Sequence, residues 1–447
     1  MSIRFVLFTA FWIFFGNSAM GQGNGFLIKD GKQLFPIGWY SMPKDDVALK
    51  ELSDAGFNIF SAHSKDDLDR LQATGIQGWM PLPLQNGVTE ALIKQIQSVA
   101  GHPALALWEG PDEITLSFTQ DYQYSLSDPS NPFSKTGKYN PNAQITPWRK
   151  RTTEMERYSR EKSPQVMMNI KDGISYIRSV DPNNLQVWFN EGAHSAPKYV
   201  REYLSAIDIT GCDYYPINGH RGIPPHDRAP SRDIGSIGYI TEQWKEIGMG
   251  KPVYMVLQAF SWPEVGEKES SQAYPSFDES RYMAYDVITH GGRGIFYWGG
   301  WTIASNDFRK SLYALTSELN ALQPFLTAPE QYQVSAYVLK DFQQPASQAA
   351  PKVALSAKQF GRDWMIAIVN DTDSILQNVA VKGLGKINGL KLVELYGNEE
   401  VIVNNQEVIT RLKPREVKVF VTGKRWESGK WENGRKYRGI PAQVSLP

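Results

Sequence analysis

The residues best suited to chemistry lie in the segment Ala104-Leu-Ala-Leu-Trp-Glu-Gly-Pro-Asp-Glu113. It starts as an apolar run of strand length, breaks at Gly110-Pro111 and sets two adjacent carboxylates, Asp112 and Glu113, just past the strand's end. A strand interior would bury both charges at a prohibitive cost. Beyond the end of a strand they can face a cleft and move protons. The competing reading makes Asp112 a helix cap and Glu113 a solvated first-turn acid. What surrounds the pair decides between the two.

The elements that carry the pair form a regular series. Short apolar runs at 35–40, 57–62, 76–81, 104–108, 185–190, 207–213, 252–257 and 294–298 read as strands. Amphipathic stretches at 45–55, 65–73, 89–100, 149–180, 197–204, 234–247, 279–290 and 310–322 read as the helices between and after them. Eight such alternations in about 300 residues predict a (β/α)8 TIM barrel over 26–326, entered through a small hairpin that turns at Asp30-Gly31. No glycine-rich phosphate loop follows the first strand, so neither a nucleotide cofactor nor any other is expected. From 331 to 423 the rhythm changes to short alternating runs separated by turn residues, which predicts a small C-terminal antiparallel β-sandwich. The polar tail, 424–447, suggests no structure.

In such a barrel the C-terminal ends of all strands face one mouth. Strand by strand, those ends offer Trp39 and Tyr40; His63; Trp79, Met80 and Gln85; Asp112 and Glu113; Asn190 and Glu191; Asp213, Tyr214 and Tyr215; Gln258, Phe260 and Trp262; and Tyr297, Trp298 and Trp301. Aromatic platforms with carboxylates on three neighbouring strands suit glycosidic bond cleavage, where one acid protonates the leaving oxygen and a second carboxylate activates water or attacks the sugar. Each assignment has a plainer counterpart. Asp213 could bind backbone amides at the rim, Glu191 could belong to a turn, and Trp298 could fill the core. His63, His194 and His220 have no metal-ligand spacing, and no nucleophile elbow supports a serine hydrolase. The long stretch 114–148, directly after Glu113, is expected to carry specificity.

Trp108 and Asp112-Glu113 after the fourth strand, Asp213-Tyr-Tyr-Pro216 after the sixth, Pro252-Val-Tyr-Met-Val-Leu-Gln-Ala-Phe260, and Arg281-Tyr-Met-Ala-Tyr285 leading to Gly294-Ile-Phe-Tyr-Trp298 together resemble the barrel glycoside hydrolase superfamily, near its clan A. The resemblance spans 35–326 and extends to the appended sandwich, an accessory domain common in such enzymes. It implies that Glu113 is the acid/base, with Asp112 in place of the clan's Asn. It also implies a nucleophilic Glu at the end of the seventh strand, where this chain has Gln258, and an amide can neither attack nor accept the proton. Three readings stay open. Catalysis is inverting, with Glu113 as acid and Asp213 or Glu191 as base roughly 6.5–9.5 Å away; or the nucleophile has moved, with Glu264 as candidate; or the barrel binds carbohydrate without cleaving it. Trp39, Tyr40, His63, Trp79, Trp108, Asp112, Tyr215, Gln258, Trp262, Tyr297, Trp298 and Trp301 are the expected sugar contacts. The pKa of Glu113 would be raised by Asp112 and by Trp108 as an apolar wall.

Composition sets the outer bounds. Lys+Arg and Asp+Glu are equal at 47 each, so no global field favours nucleic acid or an anionic membrane. Residues 1–21 read as a signal peptide, with Arg4, an apolar run over 5–15 and cleavage after Gly21; the run is too short to span a bilayer. The protein is therefore expected in the periplasm or outside the cell. Its one cysteine, Cys212, offers no internal disulfide.

Overall fold

The computed structural model describes residues 24–115, 153–193, 195–217, 234–265, 274–299, 303–339, 353–426, 430–431 and 435–436. The signal segment, the long stretch beyond Thr115, Trp301 and most of the tail lie outside them. A hairpin of β1 (Leu27–Lys29) and β2 (Lys32–Leu34) opens the fold. Eight parallel strands then close into a barrel: β3 (Ile37–Trp39), β4 (Ile59–Ser61), β5 (Gln77–Pro81), β6 (Leu105–Glu109), β7 (Gln186–Gly192), β8 (Ile209–Asp213), β9 (Val253–Gln258) and β10 (Gly294–Trp298), with β10 pairing back onto β3. The helices between and after them are α1 (Asp46–Asp54), α2 (Lys65–Thr74), α3 (Glu90–Val99), α4 (Thr153–Val180), α5 (Pro197–Tyr203), α6 (Ser236–Ile247), α7 (Phe277–Thr289) and α8 (Asn306–Ala321). Their starts are encoded locally. Asp45, Ser64, Thr89 and Ser305 each accept a hydrogen bond from a first-turn amide, and Ser276 with Glu279 closes a reciprocal capping box.

Strand alternation divides the core in two. Ile59, Trp79, Trp188, Ile209, Tyr254, Val256 and Phe296 fill the barrel's interior. Trp39, Phe60, Met80, Trp108, Phe189, Cys212, Met255 and Tyr297 point outward into the layer between strands and helices. The large interior rings require bare backbone opposite them. A Cβ on Gly38 would lie 2.2 Å from the Phe296 ring, so that position admits only glycine without repacking. The hairpin plugs the N-terminal end of the barrel. Leu27 joins the interior cluster, Tyr254 donates to the Gly25 carbonyl (2.7 Å), and Gln186 donates to that of Phe26 (3.1 Å).

The C-terminal strands form two facing sheets. One contains β11 (Ser335–Val338), β14 (Leu376–Lys382) and β17 (Glu407–Leu412); the other contains β12 (Val353–Phe360), β13 (Asp363–Asn370), β15 (Lys391–Glu394), β16 (Glu400–Ile402) and β18 (Val417–Val421). Trp364, Ile366 and Ile368 of β13 face the three-stranded sheet, while Met365, Ala367 and Val369 face the barrel layer. That strand is buried on both faces and reads as a continuous apolar run for that reason. Arg281 of α7 forks onto Glu318 of α8 (2.9 and 3.0 Å) and donates to the Val417 carbonyl (2.8 Å), tying barrel to sandwich. The Arg281–Tyr285 motif thus serves the domain seam, not the mouth. Trp426 of the tail packs edge-on against Phe325. No described helix is long and apolar enough to cross a membrane.

Candidate active site

The mouth is built from side chains that alternation turns inward at the strand ends. Glu113 lies four residues beyond β6 with φ of 46°, a left-handed conformation that costs a non-glycine residue about 1–2 kcal/mol. Its amide donates to the Asn190 carbonyl on the neighbouring strand (3.0 Å), which holds the strained turn. There the Glu113 carboxyl lies beside that of Asp213, the last residue of β8, close enough for each to shift the other's titration. Two neighbouring buried carboxyls resist ionising together. Burial, then the charge of Asp112, lifts Glu113 to about 7; burial, then the charge of Glu113, lifts Asp213 well above the usual carboxylate range. Asp112 opens on the cleft, and its Oδ1 accepts from Asn190 Nδ2 (2.9 Å).

One wall is aromatic. Tyr215 lies beside Asp213 and stacks on Trp298, with ring centroids 5.7 Å apart and planes at 25°. Phe260 meets both rings edge-on, and Trp262 packs edge-on against Phe260. Tyr215, Trp262 and Trp298 are all half-buried. Tyr40 stands at the opposite edge of the same interior.

A third inward carboxyl escaped the strand-end census. Glu109, the last residue of β6, is buried on the barrel axis and accepts from Trp79 Nε1 (2.8 Å) and Tyr40 OH (3.2 Å). Burial, reinforced by the charge of Asp112, pushes it up to about 8, so it is mostly a neutral acid at neutral pH. The two-residue period could have found it: with Leu107 inward, Glu109 is inward and Trp108 is not.

Several expected contacts lie elsewhere. Trp108 points away from the mouth, fully buried, its Nε1 donating to Asp181 Oδ2 (2.9 Å), so it is no apolar wall for Glu113. Trp39 and Tyr297 pack outward against Phe57, and Trp79 lies fully buried below the mouth as a donor to Glu109. His63 is exposed; its ring meets Ser61 Oγ at 3.4 Å and its main-chain amide donates to Asp67 Oδ2 (2.9 Å). Glu191, expected as a base, faces outward from β7 and accepts from Thr115, Ser195 (2.7 Å) and Tyr203 (2.7 Å); burial outweighs these donors and lifts it to about 7. It braces the start of the stretch after Glu113 and is remote from proton transfer to substrate. Gln258 is fully buried, and its amide is consumed by main chain: Oε1 accepts from Ile217 N (3.0 Å), and Nε2 donates to the carbonyls of Ile217 (3.0 Å) and Phe260 (3.1 Å). It clamps the β8 and β9 loops together and leaves no group for a ligand. Glu264 accepts from the Tyr274 hydroxyl. Of the two expected bases, Asp213 lies beside Glu113 at the mouth and Glu191 faces the helix layer.

No protein-family model matches the chain, and no curated protein matches its sequence. Solved structures do match. A β-galactosidase from Bacillus circulans sp. alkalophilus superposes with a TM-score of 0.51 at 8% identity, over 87% of this chain and 99% of that one. A catalytic mutant of a GH42 β-galactosidase from G. stearothermophilus gives 0.48 at 10% identity, over 87% and 98%. At these identities the likeness is one of fold.

Proposed function

We propose that the protein is an exported glycoside hydrolase in which Glu113, paired with Asp213, is the general acid. The observation that carries this reading is a pair of neighbouring buried carboxyls at the barrel mouth, both shifted upward, beside the stacked Tyr215 and Trp298 rings. An acid held near 7 is about half protonated at neutral pH, and that proton can pass to a leaving glycosidic oxygen. The rings offer a flat apolar face to a sugar. Asp112, open to the cleft and oriented by Asn190, is the carboxylate left to act on water or on the anomeric carbon. A solved structure named as a β-galactosidase shares the fold, which is consistent with the reading.

The deciding experiment is digestion of a glycan panel by the mature protein, with product anomers followed by NMR. Release of product supports hydrolysis, and the first anomer formed separates inversion from retention. The second reading, a barrel that binds carbohydrate without cutting it, is favoured by one observation, the structural commitment of Gln258. It requires saturable binding with no product after long incubation. Asp213→Asn is expected to move the alkaline limb of the rate profile down by about one pH unit, because Glu113 loses its neighbouring carboxylate. An unmoved limb would remove Asp213 from the acid. Trp298→Ala is expected to raise KM or Kd roughly tenfold, the loss of one stacking surface; titration of a bound oligosaccharide checks it.

A further inference from the structure

The seam between barrel and sandwich carries a second cluster, independent of the mouth. Asp286 and His290 lie one turn apart at the end of α7, and Asp371 follows β13 of the sandwich. One ligand atom from each can be chosen so that all three lie within 4.8 Å of one another. We infer that Asp286, His290 and Asp371 form a binding site for a divalent transition-metal cation of the zinc type, with Glu242 at its rim.

The hydrogen bonds around the cluster orient it. Asp286 Oδ2 is held by the Gly238 amide (2.6 Å), and Asp371 Oδ1 by the Tyr282 hydroxyl (3.0 Å). His290 Nδ1 lies 2.8 Å from the Asp286 main-chain carbonyl, which turns the Nε2 edge of the ring towards Asp371 and Glu242. Each of the three is thus tied through one atom, while the other atom remains for an ion, as second-shell partners orient metal ligands. Asp286 Oδ1 belongs to a fully buried side chain and accepts no geometrically formed hydrogen bond among the described residues; its one charged neighbour is His290 Nδ1 at 3.1 Å. His290 Nε2 lies 3.8 Å from Asp371 Oδ2 and 3.9 Å from Glu242 Oε1. These separations are too long for hydrogen bonds and close to the edge of about 3.4 Å that a tetrahedral ion with bonds near 2.1 Å would impose. The close approach of helix α6 is made for this cluster, since a Cβ on Gly238 would lie 2.4 Å from the His290 ring. Glu242 and His290 also line a cavity of about 520 Å³ at the barrel floor, which gives an ion and its water a way in. One imidazole with carboxylates selects zinc-like ions over calcium or magnesium.

The test uses the chelator-treated full chain titrated with zinc chloride by calorimetry and by thermal unfolding. One equivalent should bind, raising Tm in proportion to the logarithm of free zinc, while calcium and magnesium leave Tm unchanged. Asp371→Asn should abolish the shift. Glu242→Gln, at a side chain 61% exposed, should keep the fold and weaken binding severalfold. Absence of saturable zinc binding would mean that a proton, not a metal, joins the two carboxyls, and would overturn the proposal. Binding unchanged in both variants, or lost in Glu113→Gln instead, would place the ion elsewhere and overturn it equally.

Discussion

Glu113→Gln should lower glycoside hydrolysis by roughly 10²–10⁴-fold, the range of a lost general acid, and leave Tm unchanged or slightly higher. Three features of the site give this result. The amide cannot supply a proton to the leaving oxygen. It can still donate to Asp213, so the contact between β8 and the turn after β6 persists. It also removes a carboxyl whose charge bears on the buried Asp213 and on Asp112 beside it, which relieves repulsion. The backbone at φ 46° is no harder for Gln than for Glu. Initial rates of product release and a thermal melt on the same preparation suffice to check both halves. Full activity in the variant would exclude Glu113 from the chemistry, and a collapsed Tm would make it a structural residue instead.

Much of this architecture was legible in the chain because barrel strands and helices carry local signals. Ser64 and Gly75 bracket α2, Ser276 and Glu279 open α7, and the apolar runs mark each strand. Asp112 and Glu113 were legible for the same reason, since charges directly beyond a buried strand must face something polar. The errors share one origin. A list of strand-end residues ignores which way each points, and a shift of one residue exchanges the barrel's interior for the helix layer. Trp39, Trp108, Glu191 and Tyr297 fall on the outer parity, whereas Tyr40, Glu109, Asn190, Asp213 and Trp298 fall on the inner one. Gln258 failed for a different reason. Its buried amide is explained by loop carbonyls supplied from Ile217 and Phe260, and no periodicity reveals where a loop's main chain will run.

Glu109→Gln should flatten the dependence of folding stability on pH. The ordinary value for this carboxyl is 4.5, and in the folded barrel it rises to about 8. The folded state therefore binds the proton more tightly than the unfolded chain. Its contribution to stability is complete below 4.5, declines as pH rises, and is gone once pH passes 8. At about 1.4 kcal/mol per pH unit, that window corresponds to a contribution on the order of 5 kcal/mol. Gln stays neutral throughout, and its single carbonyl oxygen must serve Trp79 Nε1 and Tyr40 OH together. The variant should consequently lose about 1 kcal/mol at pH 5, the scale of one weakened hydrogen bond, and recover relative to the parent by pH 9. Urea unfolding of both proteins across that range isolates the effect, because Glu113, Glu191 and Asp213 titrate in each and cancel in the difference. Parallel curves would mean that Glu109 is ionised in the folded barrel, placing a fixed negative charge beneath the Glu113–Asp213 pair. A narrowing gap would instead identify a neutral acid there, one that spares the pair above it a further buried charge at the pH where Glu113 must keep its proton.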